Sequence, residues 1–169
     1  MPKKVILIVD NHAEFLLTRA EFVAGAGYKV LTAADPEKAR SLANTRKIDL
    51  AVVDLRLLNE EDPDDMTGLF LAKELHARVP VIIMSSFPTL AALRQALRRN
   101  ELGESSADDF VTKMDGPAVL INSIGNLLDK PQNATRKKNS RSRLLRFVQV
   151  FFGIVFLGMV AVFIGMGLF

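Results

Sequence analysis

The sequence predicts an α/β fold, a doubly wound parallel sheet of five strands, with one transmembrane helix appended at its C-terminal end. Three observations carry this reading. Short apolar runs rich in β-branched residues recur through residues 1–129 without polar alternation, as strands covered on both faces require. Stretches with apolar residues at helical spacing separate them, and regular alternation of strand and helix builds βαβ units around a parallel sheet. The final twenty residues, "VFFGIVFLGMVAVFIGMGLF", contain no charge. At about 1.5 Å per residue they reach about 30 Å, the hydrocarbon thickness of a bilayer.

Taken in order, "VILIV" is the first strand, and it stops abruptly at Asp10 and Asn11. "HAEFLLTRAEFVA" follows as a helix, apolar at Phe15, Leu16, Phe22 and Val23, and should end near Gly25 or Gly27. "YKVLTA" reads as a second strand. Asp35 before Pro36 is a helix start, an N-cap with proline at the first helical position, and opens a helix to about Ala43. "IDLAVVDL", "VPVIIMSS" and "DDFVTK" are the remaining strands, and "GLFLAKELHA", "PTLAALRQALRRN" and "GPAVLINSIGNLLD" the remaining helices.

The net charge of +3 conceals a division. Residues 130–169 hold Lys130, Arg136, Lys137, Lys138, Arg141, Arg143 and Arg146 and no acid, which leaves 15 basic against 19 acidic residues in 1–129. The organisation expected is therefore a mildly acidic folded domain at 1–129, a basic flexible linker at 130–146 and a transmembrane helix at 147–169. Positive charge before the span puts the domain on the cytoplasmic side of a single-pass inner membrane protein. "MPKK" runs straight into a strand, so no signal peptide is read there. The linker cations lack interleaved aromatics, which favours anionic lipid over nucleic acid as their partner. Ala161 and Gly165 form a small-xxx-small pair that would allow a homodimer. The chain has no cysteine, which excludes disulfides and thiolate metal sites, and its two histidines make a zinc site improbable.

Ligands of open parallel sheets bind outside the carboxyl ends of the strands, where strand order reverses. Those ends carry Asp10 and Asn11, Asp54, Ser85 and Ser86, and Lys113. Carboxylates with an amide oxygen suit Mg²⁺, commonly held together with phosphate, while a hydroxyl and an ammonium bind phosphoryl oxygens. The chain lacks a glycine-rich loop after the first strand, so nucleotide binding ranks last.

The motifs "ILIVDN", "DLAVVDLRL", "PVIIMSS" and "ADDFVTK", in this order at strand ends, resemble the receiver domain of two-component response regulators, the CheY-like fold, over about residues 3–129. The resemblance implies that Asp54 is a phosphoacceptor, that Asp10, Asn11, Asp54 and the backbone carbonyl of Arg56 hold Mg²⁺, that Lys113 and Ser85 contact the phosphoryl group, and that Ser85 and Phe110 form the switch pair. It implies a histidine kinase or phosphotransfer protein as partner, and a signalling phosphoacceptor rather than an enzyme proper. No output domain is expected after the fifth helix, so output would pass through a partner surface or through dimerisation. Three departures stand out. Asn11 replaces the second acid of the usual pair, which opens the alternative of a phosphate-independent, membrane-tethered interaction module. "RLLNEEDPDDMTG" delays the glycine that normally follows the acceptor to Gly68 and brings in Glu60, Glu61, Asp62, Asp64 and Asp65, either as a solvated acidic loop or as a source of the missing metal charge. Met114 stands where the family has proline, which argues against a cis bond after Lys113. His12 reads as a surface residue at a helix start rather than a phosphoryl donor.

Overall fold

The computed structural model describes residues 2–59, 61–101 and 103–129. Five parallel strands, β1 (Val5–Val9), β2 (Lys29–Ala33), β3 (Leu50–Asp54), β4 (Val81–Ser85) and β5 (Asp109–Thr112), alternate with five helices, α1 (Ala13–Gly25), α2 (Pro36–Thr45), α3 (Thr67–His76), α4 (Leu90–Leu97) and α5 (Pro117–Asp129). The strand order is β2-β1-β3-β4-β5. β2 lies on one side of β1 and all later strands on the other, so the order reverses between β1 and β3, whose ends carry Asp10 and Asp54. The linker at 130–146 and the span at 147–169 lie outside the described residues. Among the described residues no helix is long and apolar enough to cross a membrane.

Because strand side chains alternate between faces, each central strand feeds two cores. Leu7, Val9, Ala51, Val53, Val81 and Ile83 face Ala39 of α2, Leu69, Leu71, Ala72 and Leu75 of α3, and Ala92 and Ala96 of α4. Ile6, Ile8, Leu50, Val52, Ile82, Met84 and Val111 face Leu16 and Val23 of α1 and Leu120, Ile124 and Leu127 of α5. This is why the strands read as unbroken apolar runs. The Asp35 cap forms as the sequence implies, its Oδ1 accepting from the Lys38 amide at 2.7 Å.

Helix α4 ends at Leu97, short of the expected Asn100. Thr89 caps it by accepting from the Ala92 amide at 3.1 Å, and Arg98 turns extended at ψ 127°. The Ala96 carbonyl is taken by the amides of Ser106 and Ala107, each at 3.0 Å, so the chain after Leu97 is drawn off into a loop closed by Asn100 and Glu104.

The delayed glycine is placed by contact. Gly68 donates its amide to the Leu55 carbonyl at 3.0 Å. A Cβ on Gly68 would lie 1.7 Å from the Asp54 carbonyl oxygen and 2.7 Å from that of Leu55. Helix α3 thus starts flush against the backbone of the β3 end. Since both obstacles are backbone, Gly68→Ala should cost about 3 kcal/mol. Urea unfolding followed by fluorescence of Tyr28, the chain's one tyrosine, checks this; a loss below about 0.5 kcal/mol would refute the close approach.

Candidate functional site

The site forms where three strands end. β1 delivers Asp10, wholly buried, β3 delivers Asp54 at 2% exposure, and the residue after β5 is Lys113 at 5%. The Lys113 ammonium sits between the two acids, its Nζ 2.9 Å from Asp10 Oδ2 and 3.0 Å from Asp54 Oδ2. Burial opposes the lysine's charge, but the Asp54 carboxylate and then Asp10 more than offset it and hold its pKa above the ordinary value. Asp10 spends its other oxygen on the backbone, Oδ1 accepting from the His12 amide at 2.8 Å. The cluster of two carboxylates and one ammonium carries a net charge of −1 with little water to screen it.

Asn11 turns its amide oxygen inward. Asn11 Oδ1 is buried with no hydrogen-bond donor, an arrangement that costs free energy unless something positive meets it. Among the described residues no group of three or more His, Cys, Asp or Glu side chains could hold a metal ion. The unpaired oxygen of Asn11, the residue next to Asp10, nevertheless fits a hard, oxygen-seeking cation such as Mg²⁺, with the amide in place of an acid.

The other expected residues surround this triad at different distances from its chemistry. Ser85 ends β4, buried, and its Oγ accepts from the Phe87 amide at 3.2 Å, while its carbonyl accepts from the Lys113 amide at 2.8 Å. Phe110, in register with Ile83, is half-buried against the core shared with α4. Arg56 follows β3 with a buried side chain, and its guanidinium carbon stands 5.2 Å from the centre of the Phe87 ring. His12 is exposed and caps α1, Nδ1 accepting from the Phe15 amide at 3.4 Å. There is no cis peptide bond among the described residues.

The acidic loop folds onto itself. Asp65 is buried, Oδ2 accepting from the amides of Leu58 at 2.8 Å and Asn59 at 2.9 Å, and Oδ1 from the amide of Thr67 at 2.8 Å. Asp62 accepts from the Asp64 amide at 2.9 Å. Asp65 therefore serves the loop's own backbone rather than the Asp54 pocket, and it was not distinguished from its acidic neighbours by sequence. Nothing in the sequence marks Arg19 or Phe87 as neighbours of the site, and Phe15 reads there only as part of the apolar face of α1; the four-residue spacing of Phe15 and Arg19 is the one signal that pairs two of them.

The family model for the response regulator receiver domain matches residues 6–125. The chain is 30% identical over 126 residues to the phosphate regulon transcriptional regulatory protein PhoB of Pseudomonas aeruginosa, covering 72% of this chain and 50% of that one. It is 29% identical over 140 residues to a probable transcriptional regulator, ycf27, of Cyanophora paradoxa, covering 82% of this chain and 54% of the relative. The chain thus spans about half the length of these relatives. A solved CheY-like response regulator receiver domain protein from Methanospirillum hungatei superposes with a TM-score of 0.64 at 24% identity, over 81% of this chain and 98% of that one. The BeF3-activated receiver domain of Klebsiella pneumoniae RstA gives 0.63 at 21%, over 75% and 100%. At these identities the structures establish the fold alone.

Burial alone would raise the Asp65 carboxyl, but the hydrogen bonds from Thr67, Asn59 and Leu58 more than offset it and hold its pKa below the ordinary 3.8. The stabilisation is therefore full above that value and is lost as pH falls through the lower folded one. Asp65→Asn should cost about 2 kcal/mol near neutrality, and the difference from wild type should shrink below pH 3.8, as read by urea unfolding across pH. A deficit that persists unchanged into acid would contradict this role.

Proposed function

The chain belongs to the response regulator receiver domain family through residues 6–125, and on that premise we propose that Asp54 accepts a phosphoryl group from a phosphohistidine of a histidine kinase or phosphotransfer protein. The observation that carries this is the buried Lys113 ammonium held between Asp10 and Asp54. In the transfer, an Asp54 carboxylate oxygen forms the new bond to phosphorus as the nitrogen–phosphorus bond of the donor breaks, and the leaving imidazole takes up a proton. Asp10, Asn11, Asp54 and the backbone carbonyl of Arg56 would hold Mg²⁺, which when bound supplies charge neutralisation on the incoming group. Lys113 is already beside the Asp54 oxygen and would follow the negative charge onto the phosphoryl group. The Ser85 hydroxyl accepts from the Phe87 amide and keeps its own proton to donate to a phosphoryl oxygen, which would draw in the loop after β4 and let Phe110 move deeper against α4.

We also read residues 147–169 as a membrane anchor and 130–146 as a basic linker on its cytoplasmic side, from the charge-free run and the seven cations before it. A second reading rests on one observation, Asn11: with one acid fewer, the domain would act as a tethered interaction module independent of phosphate.

The test is the intact mass of the full chain after incubation with a small acyl phosphate. A single phosphoryl adduct should need both Mg²⁺ and Asp54, and Asp54→Asn should abolish it. Asn11→Asp should lower the Mg²⁺ concentration for half-maximal labelling by about tenfold through the restored charge. Labelling of Asn11→Asp alone, with the wild type inert, would transfer support to the second reading. For the anchor, the chain should stay with membranes under alkaline carbonate extraction and be released when cut within 130–146.

A further inference from the structure

The peptide that carries Lys113 is held on both sides, and one of the two holds comes from the far end of the sequence. Its amide donates to the Ser85 carbonyl at 2.8 Å. Its carbonyl oxygen accepts from Arg19 Nη2, also at 2.8 Å, across a separation of 94 positions. Phe15, one turn before Arg19 on α1, lies against both cations: its ring centre is 5.4 Å from the Arg19 guanidinium carbon and 5.1 Å from Lys113 Nζ. His12 meets the same ring edge-on at 5.3 Å.

The loop that follows Lys113 is short and exposed. After Lys113 it runs "KMDG" with no proline. Met114 is 87% exposed, and α5 starts only at Pro117. Thr112 and Asp115 bond one another, the Thr112 amide to Asp115 Oδ2 at 2.9 Å and the Asp115 amide to Thr112 Oγ1 at 3.1 Å, which shapes the turn without tying it to α1. A lysine bridging two carboxylates must keep its Cα fixed, because displacement of about 1 Å at a reacting centre costs up to about a hundredfold in rate. An arginine fork suits the task, since its planar donors lose little freedom per bond formed.

We propose that Arg19, with Phe15, is a positioning residue that fixes the Lys113 backbone and side chain at the Asp54 pocket. This rests on the phosphoacceptor reading of Asp54, through which the place of Lys113 acquires its consequence.

The test uses the full chain with two independent readouts. Arg19→Gln should slow labelling by a small acyl phosphate at saturating Mg²⁺ by about tenfold. The Mg²⁺ concentration for half-maximal rate should stay unchanged, because Arg19 touches no proposed metal ligand. Arg19→Lys, which keeps a cationic donor on a longer stem than glutamine's, should recover part of the rate. Phe15→Leu, which keeps apolar bulk and loses the ring, should slow labelling by about threefold. Independently of phosphoryl chemistry, the carbonyl-carbon NMR resonance of Lys113 should move in Arg19→Gln and return toward wild type in Arg19→Lys. An unchanged labelling rate in Arg19→Gln, or an unmoved Lys113 resonance, overturns the proposal. If the wild type takes no label, the phosphoacceptor reading has failed, and the resonance decides the positioning role alone: moved supports it, unmoved overturns it.

Discussion

A lysine ammonium buried between two carboxylates is the constraint on which the rest of this domain depends. Lys113 Nζ bridges Asp10 and Asp54 with almost no access to water. Desolvating three charges is costly, and removing one partner from such a cluster typically costs about 3–5 kcal/mol because it leaves another charge unmatched. The ends of β1, β3 and β5 are therefore held in mutual register by charge as well as by ladder hydrogen bonds. The raised pKa of Lys113 means this contribution is complete at neutral pH and is lost only as pH climbs through a value above 10.5. The sheet supplies the dry environment and the cluster supplies a reason for the three strand ends to meet there.

Much of this could be read from the sequence because it follows from burial and chain order. Unbroken runs such as "VILIV" and "LAVVD" have no polar face to give solvent, so they must be central parallel strands, and the residues that interrupt them must lie at one edge. The Asp35-Pro36 helix start was legible for a local reason, since cap and proline act within one turn. What stayed hidden depends on contacts between distant segments. Nothing local marks Asp65 among its acidic neighbours, because its role comes from the loop bringing three amides to one carboxylate. Nothing near Lys113 announces Arg19, and nothing in the run to Asn100 shows that α4 stops at Leu97, where the Ala96 carbonyl is claimed by Ser106 and Ala107.

The extended loop after β3 shows how an insertion can be absorbed without disturbing chemistry. Its ends are fixed by different means. At the near end the β3 backbone runs on through Leu55, whose carbonyl is bonded to the Gly68 amide. At the far end Gly68 alone allows α3 to touch the Asp54 carbonyl. Between them Asp65 gathers the loop amides, so extra residues add an internally bonded bulge rather than a floppy excursion. Loop length costs little entropy once closure is achieved, and here closure is assured by contacts the insertion leaves alone.

Asn11 changes the electrostatic balance of the pocket rather than its shape. With a third acid the cluster would carry a net charge of −2 around one ammonium, and a cation would be needed to relieve it. With asparagine the net charge is −1, and Lys113 alone neutralises half of what remains on the two acids. The pocket without a cation is correspondingly less strained, so the drive to bind one falls, while the Asn11 oxygen still lacks a donor and still favours a positive neighbour. Phosphorylation of Asp54 would add negative charge to this same cluster. A cation would then be held more strongly by the phosphorylated pocket than by the free one, so that metal and phosphoryl group reinforce each other. By linkage, the factor by which phosphorylation would raise the affinity for the cation is the factor by which the cation would favour the phosphorylated state.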